Sequence, residues 1–284
     1  MVRLPTIVPS YPDYDLHLQA AVHRVLADGG LRVPVPVTVV DDPTFVGSPF
    51  LVMPFVEGHV LGDAPPFDPW LRALSPTEQA AVHRRFIDSI AAVHRIDWRG
   101  SAVAAVARGH DATLADEVAW WRAYVDWSSD GQPLGPLVTA LEWCAAQCPV
   151  NEPAPSLLWG DPRLGNVIVG PDGDLRALLD WELATIGPGE MDLAWYLVLD
   201  DALTTMVHRR VPGFPDRDAT VDRYQEQLGR AVEDLAWHEV FALTRAFAVS
   251  DRHRRLAEAA GRARPGADDL LLASLRRRIE SAGG

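Results

Sequence analysis

Three side chains whose oxygen atoms can bind a metal or accept a proton lie close together in the middle of the sequence: Asp161, Asn166 and Asp180. Asn166 follows Asp161 by five positions, and Asp180 comes fourteen positions later, at the end of the apolar run 177–179. A loop carboxylate can accept a proton from a hydroxyl group or orient it. Amide and carboxylate oxygens are the hard ligands that Mg²⁺ prefers. The spacing therefore predicts a general base and a magnesium site.

The chemistry that suits such a set is phosphoryl transfer. That reaction needs an acceptor oxygen aimed at phosphorus, and cations on the phosphate oxygens. Arg163 lies two residues after Asp161, and a guanidinium can bind a phosphate through two N–H groups. Glu182 could bind a second ion or a water. A lone Asp-x-x-x-x-Asn is a weak signal, but the glycine before it and the later Asp180-Trp-Glu182 make the pattern much more specific.

The elements that must position these residues begin with a helix predicted over Asp15–Ala27, where apolar residues recur with a 3.6-residue period. Gly29 and Gly30 end it. Two strands, Val37–Val40 and Phe50–Phe55, are predicted to form a hairpin, and the Pro-rich segment 57–69 is interpreted as a connection between two lobes.

The rest of the chain is mostly helical by pattern, with short strands around the motif, and indicates an α+β fold. The predicted helices are Thr77–Ile96, Leu114–Trp127, Leu137–Cys148, Asp192–Leu199, Asp218–Leu228, Trp237–Leu256 and Ala267–Ile279. The predicted strands are Ser156–Leu158, Val167–Val169 and Ala177–Leu179. Trp120, Trp121, Tyr124 and Trp127 either pack a core or line an acceptor cleft.

Composition excludes several kinds of partner. The formal net charge is −13 and the chain has no lysine, which argues against nucleic acid or an anionic membrane. No apolar run approaches the length of a membrane span, and the N-terminal segment does not resemble a signal peptide. The two cysteines, Cys144 and Cys148, form no disulfide framework. We therefore expect a cytoplasmic protein.

The segments Trp159-Gly-Asp-Pro-Arg-Leu-Gly-Asn166 and Leu179-Asp-Trp-Glu182 resemble those of the aminoglycoside phosphotransferase family of kinase-like proteins. The likeness is strongest to the kinase-like domain fused to some acyl-CoA dehydrogenases. That branch has His-Gly-Asp-Tyr-Arg-Leu-Gly-Asn, followed by Leu-Asp-Trp-Glu. Further stretches that match are 47–58, 93–97, 191–195 and 211–217.

This resemblance implies a two-lobed, protein-kinase-like fold that uses ATP and Mg²⁺. Residues 1–57 would form the nucleotide lobe, and residues 58–284 would form a helical lobe with the catalytic loop and the acceptor site. By the same resemblance, Asp161 would be catalytic with Arg163 beside it. Asp192 would be structural, accepting hydrogen bonds from the catalytic-loop backbone. The remaining assignments are metal binding by Asn166, Asp180 and Glu182, and adenine contact by the backbone of Met53, Phe55 and Val56.

The chain also departs from the family pattern. Trp159 replaces a histidine that braces the loop, and the indole N–H needs a partner. Arg3 stands where the family has a phosphate-contacting basic residue, and Gln19 stands near the position of that residue's glutamate partner. Two strands and a phosphate-covering loop would precede Arg3, so we expect a truncated N-terminal lobe.

Two functions follow from these patterns. The first is an ATP- and Mg²⁺-dependent phosphotransferase that acts on a hydroxyl group of a small-molecule alcohol, either aminoglycoside-like or a hydroxylated metabolite. The alternative is a catalytically weak, kinase-like binding or regulatory protein. The set Asp161, Asn166 and Asp180 favours the enzyme, and the reduced N-terminal lobe favours the alternative.

Overall fold

A computed structural model describes residues 1–5, 9–106, 113–262 and 268–282. The strands in these ranges are β1 Val2–Arg3, β2 Thr38–Val40, β3 Phe50–Val52, β4 His59–Val60, β5 Ser156–Leu158, β6 Val167–Val169, β7 Leu175–Leu178 and β8 Thr185–Gly187. The helices are α1 Leu16–Asp28, α2 Pro69–Ala73, α3 Pro76–His94, α4 Ala102–Val106, α5 Leu114–Ser128, α6 Gly135–Ala146, α7 Glu190–Val207, α8 Arg217–Leu228, α9 Leu235–Ala259 and α10 Asp268–Ala282.

The N-terminal part is an antiparallel sheet with the order β1-β3-β2, against which α1 packs. Helix α1 begins at Leu16 because the Asp15 carboxylate accepts a hydrogen bond of 2.8 Å from the backbone N–H of Leu18. It buries Leu16 in a small core with Leu51 and Met53. The predicted first helix and hairpin are confirmed, although the second strand ends at Val52 rather than at residue 55.

The Pro-rich connection contains more structure than its sequence indicated. Strand β4 pairs antiparallel with β6, with His59 opposite Val169. A short 3₁₀ helix, Pro65–Phe67, and helix α2 follow. Strand β8, which the sequence also did not predict, pairs with β5. Runs of two or three residues are too short to show a period, so these strands depend on the partner strand for their definition.

The helical part has two large cores. One surrounds α3 and contains Phe86, Ile90 and Trp159, and the other joins α5, α6, α7 and α9. Trp121 and Tyr124 are buried in the second core, and Trp120 and Trp127 pack against it. The aromatic cluster is therefore part of the core, as one of the two interpretations predicted.

The predicted helices after the first are confirmed, with shifted ends. Helix α6 ends at Ala146 and so includes only the first of the two cysteines, whose thiols are both free. Helix α7 continues to Val207, well beyond the predicted end. The predicted start of the last helix at Ala267 lies outside the described residues. Among the helices that the structure describes, none is long and apolar enough to cross a membrane.

Candidate active site

The loop after β5 makes a sharp turn at Gly160, whose φ is +87°. A Cβ atom there would lie 2.1 Å from the carbonyl oxygen of Leu183, so glycine is required for space as well as for conformation. Asp161 therefore follows a turn whose conformation depends on Gly160. A 3₁₀ turn, Leu164–Asn166, then leads directly into β6.

Asp192, at the start of α7, holds the backbone of this loop. Its carboxylate accepts hydrogen bonds from the N–H groups of Trp159, at 2.7 Å, and Gly160, at 2.9 Å. His94 Nε2 lies 3.0 Å from the same carboxylate, which is fully buried. A buried charge needs such a set of partners. The contact that the resemblance implied for Asp192 is thus present.

Trp159 ties the loop to the segment that carries Asp180. Its indole N–H donates to the carbonyl oxygen of Leu179 at 2.7 Å, and its ring stacks on Trp181 with 5.1 Å between centroids. The polar atom of the indole therefore has the partner that burial requires. Leu179 in turn donates its backbone N–H to the carbonyl oxygen of Asn166 at 2.8 Å. The two halves of the predicted site are joined by these bonds.

The carboxylate of Asp161 has donors on both oxygens. Oδ2 accepts from Arg163 Nε at 2.9 Å and from Asn166 Nδ2 at 3.0 Å, and Oδ1 accepts from Trp195 Nε1 at 2.8 Å. The structure thus brings together the predicted Asp161, Arg163 and Asn166. Trp195 lies in a stretch that matches the family pattern, but its contact with Asp161 was not predicted. Its position three residues after Asp192, on the same face of a helix, is the sequence feature that could have indicated it.

Asp180 and Glu182 face one cation, the guanidinium of Arg3. Arg3 Nη2 lies 2.5 Å from Asp180 Oδ1 and 2.9 Å from Glu182 Oε2. Arg3 Nε donates to the hydroxyl of Tyr14 at 2.9 Å, a contact that sequence reasoning missed. Asp180 has a φ of +63°, a conformation that aspartate tolerates better than most residues.

No hydrogen bond joins Arg3 to Gln19 among the described residues, and the buried Gln19 Nε2 has no hydrogen-bond partner there. Gln19 thus does not take the part that the family's glutamate has. Two carboxylates form charge-assisted hydrogen bonds with a guanidinium, which a neutral amide cannot match. The guanidinium of Arg3 therefore contacts the predicted metal ligands Asp180 and Glu182.

The charges of the site influence one another strongly. Burial raises the pKa of Glu182 above its ordinary value and the charge of Asp180 adds to this, while Arg3 and Tyr14 oppose it. Burial disfavours the charged guanidinium of Arg3, but Asp180 and the other acidic neighbours outweigh it and raise its pKa. Asp180 and Glu182 thus concentrate negative charge at one point.

These residues fit a magnesium ion. The described residues contain no group of three or more His, Cys, Asp or Glu side chains at metal-binding distance. Mg²⁺ does not need such a group, because it keeps waters and binds through one or two carboxylates together with phosphate oxygens. Asp180 and Glu182 already converge on one cation, Arg3. Asn166 uses its amide nitrogen towards Asp161, so its oxygen is left for a metal.

The predicted adenine contacts divide into two kinds. Met53 is buried, and its backbone N–H and carbonyl groups pair with Met1 at 3.1 and 2.7 Å. Its backbone is therefore already used in the contact between β1 and β3. Phe55 is 75% exposed and Val56 is partly exposed, so both remain accessible to a ligand.

A cavity of about 260 Å³ opens beside Arg163. Its walls are mostly apolar side chains from the loop, α7 and α10, and include Leu164, Leu199, Leu203, Met206 and Leu271. Asp63 and Asp200 are acidic groups at its edge, and burial raises the pKa of Asp200. The cavity borders the loop at Arg163, Leu164 and Gly165.

The fold that carries this site is kinase-like. The chain belongs to the phosphotransferase enzyme family called APH, whose profile matches residues 2–240. Membership of this family supports a phosphotransferase.

Curated relatives include acyl-CoA dehydrogenase family member 11 from Homo sapiens, which is 27% identical over 176 residues, covering 62% of this chain and 22% of the relative. The Gallus gallus protein of the same name is 29% identical over 184 residues, covering 64% and 22%. The chain therefore spans about a fifth of the length of these relatives.

Solved structures share the fold. A Ralstonia eutropha protein provisionally assigned as an aminoglycoside phosphotransferase has a TM-score of 0.73 at 20% identity, covering 93% of this chain and 81% of that one. A GDP and kanamycin complex of an aminoglycoside phosphotransferase, APH(2″)-IIIa, has a TM-score of 0.61 at 13% identity, covering 94% and 82%. The choline kinase LicA from Streptococcus pneumoniae has a TM-score of 0.55 at 15% identity, covering 94% and 81%. The predicted kinase-like α+β fold is confirmed.

Proposed function

We propose that this protein transfers the γ-phosphoryl group of ATP, with Mg²⁺, to a hydroxyl group of a small molecule. One observation carries the proposal: the backbone bond of 2.8 Å between Leu179 and Asn166 places the Asp180 segment beside the Asp161 loop. A candidate base, a cation and hard oxygen ligands are thereby joined in one site. Phosphoryl transfer requires this combination.

Each residue has a distinct task in this proposal. Asp161 orients the acceptor hydroxyl and accepts its proton. Arg163, whose pKa is raised because Asp161 and Asp63 outweigh the effect of burial, stays charged beside the transferred group. Asn166, Asp180 and Glu182 would hold the metal, which would neutralise charge on the phosphate oxygens.

The nucleotide would approach from the side of β3. Phe55 and Val56 follow that strand and would contact the adenine, since the backbone of Met53 is paired with Met1. Arg3 would leave the two carboxylates and turn towards the phosphates when metal and nucleotide bind. Its contacts with the two carboxylates support this role, because they hold the guanidinium beside the proposed metal ligands.

The cavity beside Arg163 favours a hydroxylated metabolite with an apolar part over an aminoglycoside. Its walls are leucine and methionine side chains, and only two acidic side chains, Asp63 and Asp200, are among its lining residues. Aminoglycosides are polycations, whose recognition calls for several acidic or polar partners. An apolar wall gives a polycation little compensation for the loss of water.

The alternative is a kinase-like protein that binds nucleotide but transfers phosphate weakly. The contact of Arg3 with both Asp180 and Glu182 favours it, because a guanidinium there competes with a metal ion. The intact arrangement of Asp161, Arg163 and Asn166 favours the enzyme.

Thermal unfolding with and without Mg·ATP tests the proposal first, followed by ATP turnover over a panel of acceptors. The panel should contain amphipathic hydroxylated metabolites and aminoglycosides. We expect Mg²⁺-dependent stabilisation by ATP, and turnover only with the first group. Absence of Mg²⁺-dependent nucleotide binding would contradict the enzyme, and binding without turnover would support the alternative.

A further inference from the structure

Helix α7 contacts the catalytic loop through two side chains on one face, Asp192 and Trp195. Asp192 accepts the backbone N–H groups of Trp159 and Gly160. One turn later, Trp195 donates its indole N–H to Asp161 Oδ1 at 2.8 Å. The first contact fixes the loop backbone, and the second fixes the rotation of the carboxylate plane.

The other donors to Asp161 have further tasks in the proposed reaction. Arg163 would face a phosphate, and Asn166 would bind the metal through its amide oxygen while its amide nitrogen bonds Asp161. Trp195 has no such task. It is 5% exposed and belongs to the core formed by α5, α6, α7 and α9. Its hydrogen bond can therefore persist through the reaction.

Arg245 from α9 holds the indole of Trp195 in place. Its Cζ lies 4.8 Å from the ring centroid, and its Nη2 donates to the carbonyl oxygen of Gly160 at 3.3 Å. Arg245 is 3% exposed, and Trp121 lies against it at 5.1 Å. A cation held over a buried ring stabilises the contact. The indole and the loop are thus fixed by the same guanidinium.

A purely structural tryptophan would satisfy its N–H with any acceptor. Three others do so with backbone carbonyls: Trp98 with Pro155, Trp159 with Leu179 and Trp237 with Cys144. Trp195 instead donates to the one carboxylate that the proposed reaction needs as a base. A hydrogen bond to a carboxylate is stronger and more directional than one to a neutral carbonyl.

We propose that Trp195 is a positioning residue, which holds Asp161 Oδ1 so that Oδ2 faces the acceptor hydroxyl. This role rests on the proposed phosphotransfer. Without the N–H, the carboxylate can rotate about its side-chain bonds and spends less time in the reactive orientation. A displacement of about 1 Å at a reacting group can cost on the order of 100-fold in rate.

The test compares Trp195→Phe with the matched control Trp237→Phe. Both tryptophans are 5% exposed in the same core, and both substitutions remove an indole donor. We expect kcat to fall about 10- to 100-fold in Trp195→Phe with the KM for ATP unchanged. Trp237→Phe should keep its kcat. Equal kcat values in the two variants, each measured below its own unfolding temperature, would overturn the role.

An NMR measurement gives a second, independent result. The indole ¹H–¹⁵N resonance of Trp195 should shift in Asp161→Asn, whereas that of Trp237 should not. Absence of a shift at Trp195 would overturn the proposal whether or not the protein is active, and it does not require Trp195→Phe to fold. A further outcome is a shift of the resonance in Asp161→Asn while the wild-type protein phosphorylates none of the acceptors. That result would confirm the hydrogen bond but refute the phosphotransfer, and with it the role of Trp195 in that reaction.

Discussion

The guanidinium of Arg3 and the carboxylate of Asp180 form an ion pair of 2.5 Å between residues that are 177 positions apart. Arg3 belongs to the first strand, and Asp180 belongs to the proposed metal site. Glu182 shares the same guanidinium at 2.9 Å. In this state the protein supplies its own cation to the two carboxylates, and a metal ion must compete with it.

Replacement of Arg3 by alanine should therefore make the site more responsive to Mg²⁺ alone. The variant should lose about 2 kcal/mol of unfolding free energy, the usual size for a charged hydrogen bond in a partly buried setting. Added Mg²⁺ without nucleotide should then raise its Tm more than that of the wild type, because two carboxylates lack a cation. Arg85→Ala, which breaks an ion pair of 3.0 Å with Asp174 elsewhere, is the control. An equal Mg²⁺ response in Arg3→Ala and wild type would contradict the competition.

Asp161→Ala should abolish turnover and leave the fold and nucleotide binding intact. General-base catalysis contributes about 10²- to 10⁴-fold, so the rate should fall by at least that range. Steady-state rates and the Tm increase with Mg·ATP are the two measurements. Asp172→Ala, at an exposed turn carboxylate, should behave as wild type. Full activity in Asp161→Ala would rule out its assigned role.

Gly160→Ala should be far more destabilising than Gly229→Ala. Both glycines have left-handed φ values, +87° and +76°, so the conformational cost of about 1–2 kcal/mol is shared. At Gly160 the new Cβ would also meet the carbonyl oxygen of Leu183 at 2.1 Å, whereas at Gly229 no atom lies within 4 Å. Urea unfolding of the two variants isolates the steric part. If both variants lost a similar amount of unfolding free energy, the loop at Gly160 would be able to move and accommodate the new Cβ atom.

Stability should decrease as the pH falls below about 6.5, in part because of His83. Burial lowers the pKa of His83 from 6.5 to about 4, and its Nε2 lies 2.7 Å from the hydroxyl of Tyr196. Because the folded-state pKa is depressed, the unfolded chain binds a proton first. The neutral, buried His83 therefore makes its full contribution to the unfolding free energy above the unfolded-state pKa, and this contribution is lost as the pH falls from 6.5 towards 4. The expected loss at about pH 5 is about 2 kcal/mol.

Between neutral pH and pH 5, the unfolding free energy of His83→Gln should fall less than that of the wild type. The difference should be about 2 kcal/mol. Urea unfolding at the two pH values measures the difference, and carboxylate effects cancel between the proteins. His17→Gln is the control, since the His17 side chain is 62% exposed. An unchanged pH dependence in His83→Gln would show that this histidine does not titrate as described.

Much of the architecture was predictable because it depends on local periodicity. Helices α3 and α5 bury residues spaced three and four apart, which form one face that is visible in the sequence. Strands β4 and β8 were missed because two or three residues carry no period and are defined by the strands beside them. The contacts of Arg3 with Asp180 and Glu182 were not predicted for a similar reason, since they depend on how the chain folds back.

The sequence by itself determined which chemistry to predict for the site, because a candidate base, an arginine and three metal-ligand candidates stand in a fixed order. Only the tertiary structure decided that Trp195 holds Asp161 across 34 positions and that Arg3 holds Asp180 across 177. Hydrogen bonds act over about 3 Å, so such contacts exist only once packing has placed α7 and β1 against the loop.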